Sequence, residues 1–346
     1  MNLDLLFKEA VNNSASDIHL VGGLPAHLRI DGELKAIDDK AVTAKEIEVL
    51  AKNLLSEVDF KRFIVEKDFD FAHEESDGSR FRINLQIERG MISLSARTIP
   101  AVVPTMEELM MPEKIYELCN LDRGLILVTG PTGCGKSTSL ASMIDYINKN
   151  RKATIATLED PIEFLFKADK SIIRQRQLDS DMTSFPAGLT HVLRQDPNVI
   201  MVGEMRDLET IATTITLAET GHLVFATLHT YSAAQTIDRI IDIFPPHQQS
   251  QIKAQVSLTL KGVIAQKLLP AKEGGRIAAR EILINNSAVS NLIRESKVGQ
   301  IKTVIQTSAK DGMITMDNAI AGLYKQGLIE KDVYYNSIPN VKTGGI

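Results

Sequence analysis

A glycine-rich run, Gly130-Pro131-Thr132-Gly133-Cys134-Gly135-Lys136-Ser137-Thr138, directly follows the apolar segment Leu125-Ile126-Leu127-Val128. A strand that ends in glycines and re-enters as a helix turns several backbone N–H groups onto one phosphate, and the helix dipole favours the negative charge. Thr132, Gly133, Cys134, Gly135, Lys136, Ser137 and Thr138 are therefore the expected phosphate cradle. Lys136 is expected to reach the β- and γ-phosphates, and Ser137 to hold Mg2+. Cys134, at a helix start among N–H groups, is expected to have a lowered thiol pKa and to be reactive.

Three more short apolar runs end in polar chemistry: Thr154 to Leu158 leads into Glu159-Asp160-Pro161-Ile162-Glu163, Val199 to Val202 into Gly203-Glu204-Met205-Arg206-Asp207, and Leu223 to Leu228 into His229-Thr230. In an open α/β sheet, ligands bind outside the carboxyl ends of the strands, so these endings are expected around a bound triphosphate. Phosphoryl transfer to water needs a divalent ion, an oriented water and positive charge on the transition state. Glu204 is the expected Mg2+-side carboxylate, and Glu163 or Glu159 the water-orienting base. Asp160, before Pro161, reads as turn or helix-cap chemistry. His222 and His229 stand seven positions apart, roughly 23 Å along an extended strand, so they cannot touch the same phosphate. His229, at the carboxyl end, is the expected γ-phosphate sensor, and His222 a structural or interface residue.

These elements need a scaffold. The 346 residues suit two domains, and 44% hydrophobic content is enough for real cores. With 39 basic against 44 acidic residues, net charge −5, the composition argues against a protein that tracks a nucleic-acid backbone. Cys119 and Cys134 are the only cysteines, which leaves no disulfide framework or cysteine zinc site and fits a reducing cytoplasm. No signal-peptide core and no uninterrupted apolar span is evident, so membrane contact is expected only through partners.

The first part reads as a small α+β domain with an antiparallel sheet. Leu3, Leu6, Phe7, Ala10 and Val11 fall at helical spacing, a hairpin is expected at Asp31-Gly32, and residues near 43 to 66 read as helical. Phe81, Ile83, Leu85 and Ile87 alternate strictly, as do Ile92, Leu94 and Ala96. If these strands pair through Glu88-Arg89-Gly90, then Arg80, Arg82 and Arg97 share the opposite face. A solvated face and a functional one are both open for them. Thr98 to Thr105, with two prolines, reads as an extended linker. Beyond it, buried strands of a mostly parallel sheet alternate with amphipathic helices; Gly221 is placed to end one of these. From about residue 247 the chain reads as mainly helical, with Ser287 the expected N-cap of a short amphipathic helix through Glu295. A flexible Gly344-Gly345 tail is expected.

At this point the chain resembles the hexameric secretion ATPases and, within them, the type IV pilus retraction ATPases, the PilT family. The resemblance spans nearly the whole chain. It is carried by Ala15-Ser16-Asp17-Ile18-His19-Leu20, Gly32-Glu33, Arg97-Thr98-Ile99-Pro100 and the phosphate loop, and by residues 159–163 (the family's Asp box), 202–210 (its Walker B segment), 221–230 (its His box) and 238–245. It implies a PAS-like N-terminal domain over residues 1–97, a linker over 98–105, a RecA-like ATPase domain over 106–338 and a flexible tail over 339–346. It further implies ATP and Mg2+ as ligands, Glu163 as catalytic glutamate and Glu204 as the Walker B acid. The homo-hexamer would work on an inner-membrane pilus platform protein, from the cytoplasm at the inner face of that membrane. It also implies that Arg80, Arg82 and Arg97 approach the triphosphate. Two positions depart from the family's pattern: Ser290 replaces a basic residue in Ala288 to Glu295, and Thr190 stands where relatives often have arginine.

The expected activity is Mg2+-dependent ATP hydrolysis that disassembles pilus fibres. Pilus-assembly and type II secretion ATPases are the nearest alternative, but their tetracysteine zinc site cannot be built from two cysteines. A nucleic-acid motor would show a basic, aromatic-rich surface. A non-hydrolysing accessory ring would not need Lys136, Glu163 and Glu204 together.

Overall fold

The computed structural model describes residues 3–338 apart from 14, 31, 100 and 101. The chain divides into two compact units, Met1–Val102 with Pro161–Leu165, and Val103–Asp160 with Phe166–Ile346. The expected tail lies outside the described residues, as do Asp31 of the expected hairpin turn and Pro100 and Ala101 of the expected linker.

The first unit contains α1 (Leu3–Asn12), β1 (Asp17–Leu20), β2 (Pro25–Ile30), β3 (Glu33–Ala41), α2 (Ala44–Leu54), α3 (Glu57–Glu66), β4 (Asp68–Glu74), β5 (Arg80–Glu88) and β6 (Met91–Ile99). Its antiparallel sheet runs β3-β2-β1-β6-β5-β4. Alternation buries Phe81, Ile83 and Leu85 with Ile18, Leu94 and Ala96, and α1 adds Phe7, stacked on Phe81 at 4.1 Å. The β5–β6 register sets Arg82 opposite Arg97 and Arg80 opposite Ile99, so the three arginines do share the other face. Two expectations need correction. The helical stretch near 43–66 is two helices, because Leu55 turns extended and the Ser56 side chain accepts from the Asp59 N–H to start α3 afresh. Thr98 and Ile99, read as linker, complete β6 because their partners Phe81 and Arg80 continue the ladder.

The second unit contains α4 (Glu113–Cys119), β7 (Gly124–Thr129), α5 (Lys136–Asn150), β8 (Thr154–Glu159), β9 (Ile172–Gln177), α6 (Phe185–Val192), β10 (Val199–Val202), α7 (Leu208–Glu219), β11 (Leu223–Leu228), α8 (Ala233–Asp242) and α9 (Pro246–Thr259). Then follow β12 (Leu260–Pro270), β13 (Arg276–Ile284), α10 (Ser287–Arg294), α11 (Ile301–Thr307), α12 (Met316–Lys325) and α13 (Lys331–Ser337). The sheet order is β13-β12-β7-β11-β10-β8-β9, parallel except for β13. Helices cover both faces: Leu125, Leu127, Val224 and Ala226 belong to the core that includes Ile211 and Ile237, whereas Ile126, Val128 and Phe225 pack with Met143 and Ile144.

The mainly helical reading of the C-terminal part holds from Ser287 onward, but residues 260–284 form a strand pair. Its apolar run has no polar alternation because most of β12 is buried between β7 and β13, and periodicity cannot separate such a strand from a buried helix. Asn286, rather than Ser287, caps α10, its side chain accepting from the Val289 N–H.

Phe81 is fully buried against Phe7, so Phe81→Ala leaves a cavity no neighbour fills. We expect it to destabilise the first unit by about 3 to 5 kcal/mol. Urea unfolding of the full chain reads this, and an unchanged midpoint would contradict it.

Candidate functional site

The phosphate loop leaves the buried β7, and its conformation depends on glycine. Gly130 has φ +145, and a Cβ there would lie 2.4 Å from the Gln266 carbonyl and 2.5 Å from the Cys134 sulfur. Gly135 caps α5 at φ +84. Lys136 is buried, its ammonium donating to the carbonyls of Gly130 at 2.9 Å and Pro131 at 3.1 Å. Two of its three N–H donors are used inside the loop, which leaves one for another acceptor. Ser137 and Thr132 are exposed at the mouth of the loop.

Cys134 does not behave as its position in sequence suggests. It is buried, and burial raises its thiol pKa; the charge of Lys136 and its backbone hydrogen bond oppose this without overcoming it. The expected reactive thiolate is corrected accordingly.

The strand register brings Glu204, His229 and Thr132 together. His229 Nε2 lies 3.1 Å from Glu204 Oε1, and Thr132 Oγ1 lies 3.4 Å from His229 Nδ1. A carboxylate only accepts, so Nε2 donates to Glu204; Thr132 Oγ1, which can donate or accept, meets Nδ1. Glu204 Oε2 in turn meets Arg206 Nη2 at 2.9 Å, and Arg206 Nη1 lies 3.7 Å from Asp160 Oδ2. Burial alone would raise the Glu204 carboxyl pKa; the hydrogen bond and charge of Arg206, with those of His229, outweigh it and hold it below the usual range. A cleft of about 390 Å3 opens beside this chain of contacts, lined by Glu204, Arg206, His229, Thr230, Gln235 and Arg239 among others.

Sequence spacing alone does not single out Arg206. The available signal is its place two residues beyond Glu204, where a loop leaving a strand end can turn back on the carboxylate. Asp160 caps nothing, because no helix follows Pro161; its carboxylate faces Arg206 instead. The helix cap there is Asp207, which accepts from the Thr210 N–H at 2.8 Å and starts α7.

Glu159 is buried, with Oε1 accepting from Thr157 Oγ1 at 2.6 Å and Gln175 Nε2 at 3.0 Å. Glu163 is half-buried in the irregular segment beyond β8. His222 stands at the other end of β11 and hydrogen-bonds the Leu217 carbonyl at 2.9 Å, closing the end of α7. In the first unit Arg97 pairs with Asp17 at 2.9 Å, Arg80 with Glu74 at 3.6 Å and Arg82 with Asp70 at 3.8 Å. Arg97 and Arg82 are more exposed than Arg80, whose side chain is 12% exposed.

A buried parallel sheet, a glycine loop entering a helix and carboxylate and imidazole at the neighbouring strand ends define a RecA-like P-loop nucleotide-binding protein. The family model described as Type II/IV secretion system protein matches residues 2–275, and the chain belongs to that family. It is 43% identical over 332 residues to the type IV pilus retraction ATPase PilT of Pseudomonas aeruginosa, covering 96% of each chain. It is 44% identical over 329 residues to a twitching motility protein of Neisseria gonorrhoeae, covering 94% of this chain and 87% of that one. A crystal structure of the pilus retraction motor PilT with bound ADP superposes with a TM-score of 0.92 at 45% identity, covering 99% of this chain and 98% of that one.

At neutral pH the buried, predominantly protonated Cys134 should react with maleimide far more slowly than an exposed cysteine, with a rate that rises as the pH is raised. Mass spectrometry after timed labelling checks this. Rapid modification at neutral pH would mean that the loop's N–H groups, and not burial, set the thiol's chemistry.

Proposed function

We propose that the chain is an ATP-hydrolysing motor, assembled as a homo-hexamer, that drives type IV pilus retraction and so twitching motility. The observation that carries this is the joining of Thr132, His229 and Glu204 at one sheet edge, in a chain so similar to retraction ATPases.

Thr132 to Thr138 cradle the phosphates, and the Lys136 ammonium takes the β- and γ-oxygens. The exposed Ser137 hydroxyl and the Glu204 carboxylate are hard oxygen donors, a set that suits Mg2+. Mg2+ held there by Ser137 and Glu204 would supply positive charge to offset that of the phosphates. His229, anchored on Glu204, senses the γ-phosphate from the strand end. Glu159 has an oxygen engaged by Thr157 and Gln175, which supports Glu163 as the base that orients and deprotonates water. Arg80, Arg82 and Arg97 are the proposed sources of positive charge for the transition state in the assembled ring; the acids that pair with them would have to be exchanged for phosphate oxygens.

Among the described residues no helix is long and apolar enough to cross a membrane. The motor is proposed to act from the cytoplasmic side, through an inner-membrane platform protein. On α10, Val289 and Ile293 are buried while Asn291, Arg294 and Glu295 are exposed. Ser290 donates to the Ser257 carbonyl at 2.9 Å, so in place of a basic side chain it ties α10 to α9. The outer face of α10 is proposed to couple ring motion to the partner.

Glu163→Gln should keep ATP affinity within about threefold of wild type and lose turnover by about a hundredfold or more, since an amide cannot accept the water's proton. Steady-state ATPase and nucleotide titration on purified protein check this; near-wild-type turnover would move the base to Glu159. Expressed in a deletion strain, the same variant should fail to restore twitching.

Arg294→Ala with Glu295→Ala should preserve assembly and most ATPase activity while abolishing twitching. Parallel loss of ATPase would make α10 structural, and full motility would remove the coupling role.

A further inference from the structure

We infer that Gln266, on β12, is a positioning residue that sets the phosphate loop before nucleotide arrives. This rests on the reading of residues 130–138 as a phosphate loop and adds to it a residue from far along the chain. The β12–β7 register pairs Ala265 with Thr129, the last residue of β7, so Gln266 stands level with Gly130, where the loop begins. The loop lies directly on β12 at this point, which is why a Cβ on Gly130 would come within 2.4 Å of the Gln266 carbonyl oxygen.

The Gln266 side chain is 2% exposed and engages both ends of its amide, one on the loop and one on the helix behind it. Nε2 donates to the Cys134 carbonyl at 2.5 Å, and Oε1 accepts from the Ser139 hydroxyl at 2.8 Å, in the first turns of α5. A buried amide with both ends satisfied has one low-energy orientation, so each bond enforces the other.

The consequence follows from peptide geometry. In a planar trans peptide the carbonyl of one residue and the N–H of the next point in opposite directions. Holding the Cys134 carbonyl against Gln266 therefore aims the Gly135 N–H away from β12. That N–H has no protein acceptor among the described residues, which leaves it available to an anionic oxygen. Without Gln266, the peptide between Cys134 and Gly135, flanked by a glycine at φ +84, can rotate, and binding must then supply the free energy to order it.

Gln266→Leu removes both hydrogen bonds at similar volume. Gln266→Glu keeps an acceptor for Ser139 but sets a carboxylate against the Cys134 carbonyl. Both full-length variants are expected to bind a fluorescent ADP analogue about tenfold more weakly than wild type. KM for ATP should rise by a similar factor while kcat at saturating ATP stays within about threefold, because bound phosphates re-order the loop. Cys134 should alkylate several-fold faster, read site by site against the buried Cys119. Gln266→Asn should not rescue, since its shorter side chain cannot reach both partners.

Wild-type ADP affinity in Gln266→Glu would overturn the inference, and so would equal Cys134 labelling rates in all variants. A fall in kcat that tracks a lowered melting temperature, with KM unchanged, would make Gln266 a packing residue and overturn it as well. If Gln266→Leu does not fold, Gln266→Glu decides. Failure of the wild type to bind ADP would instead overturn the phosphate-loop reading on which the inference stands.

Discussion

The candidate site exists because parallel strands in register bring their carboxyl ends to one edge. Val202 of β10 pairs with Ala226 of β11, and Leu228 of β11 pairs with Thr129 of β7. Glu204 is two residues beyond its strand's last residue, His229 one, and Thr132 three, so side chains from three separate segments arrive at the same height. A shift of one residue in any of these pairings would turn each strand's buried set to the opposite face and dismantle both cores. Hydrophobic burial on the two faces of the sheet thus fixes the chemistry at its edge. Nothing within the loops themselves could hold that alignment.

Electrostatics at the edge is arranged around Glu204. The carboxylate is partly withdrawn from water, which costs free energy for a charge, and two neighbours offset that cost. One is Arg206, a fixed cation; the other is His229, which meets the carboxylate through Nε2 and leads on to the glycine loop through Nδ1. Glu204 is in this way tied both to the loop after its own strand and to the glycine loop. Replacing either neighbour would change the field at the carboxylate and its orientation together. Each Glu204 oxygen carries one of these partners and retains a second lone pair.

The first unit obeys a different constraint. Its antiparallel sheet buries one face under helices and leaves the other polar, and that polar face carries Arg80, Arg82 and Arg97. Each arginine has an acid of the same unit nearby, at distances from 2.9 to 3.8 Å. The pairs of Arg82 and Arg97 lie at exposed positions and are worth little by themselves, whereas Arg80 is largely buried.

Much of this is determined by the sequence alone. Glycines at positions 130, 133 and 135 beside Lys136 allow few uses other than a phosphate loop, because few other reasons exist to accept that loss of backbone order. Strict alternation in β5 and β6 is enough to put three arginines on one face, since a period of two permits nothing else. Tertiary structure decides the rest. The strand pair at residues 260–284 is not legible in the residue pattern, because a strand buried on both faces loses the alternation that would distinguish it from a helix. The state of Cys134 is not legible either: local sequence exposes the thiol to N–H dipoles, whereas burial in the fold removes it from water and outweighs the dipoles. Arg206 meets Asp160, and Gln266 meets Ser139 and Cys134, only because strand register brings them close. Local sequence specifies which groups are available; the long-range pairing of strands, driven by burial, specifies which of them meet.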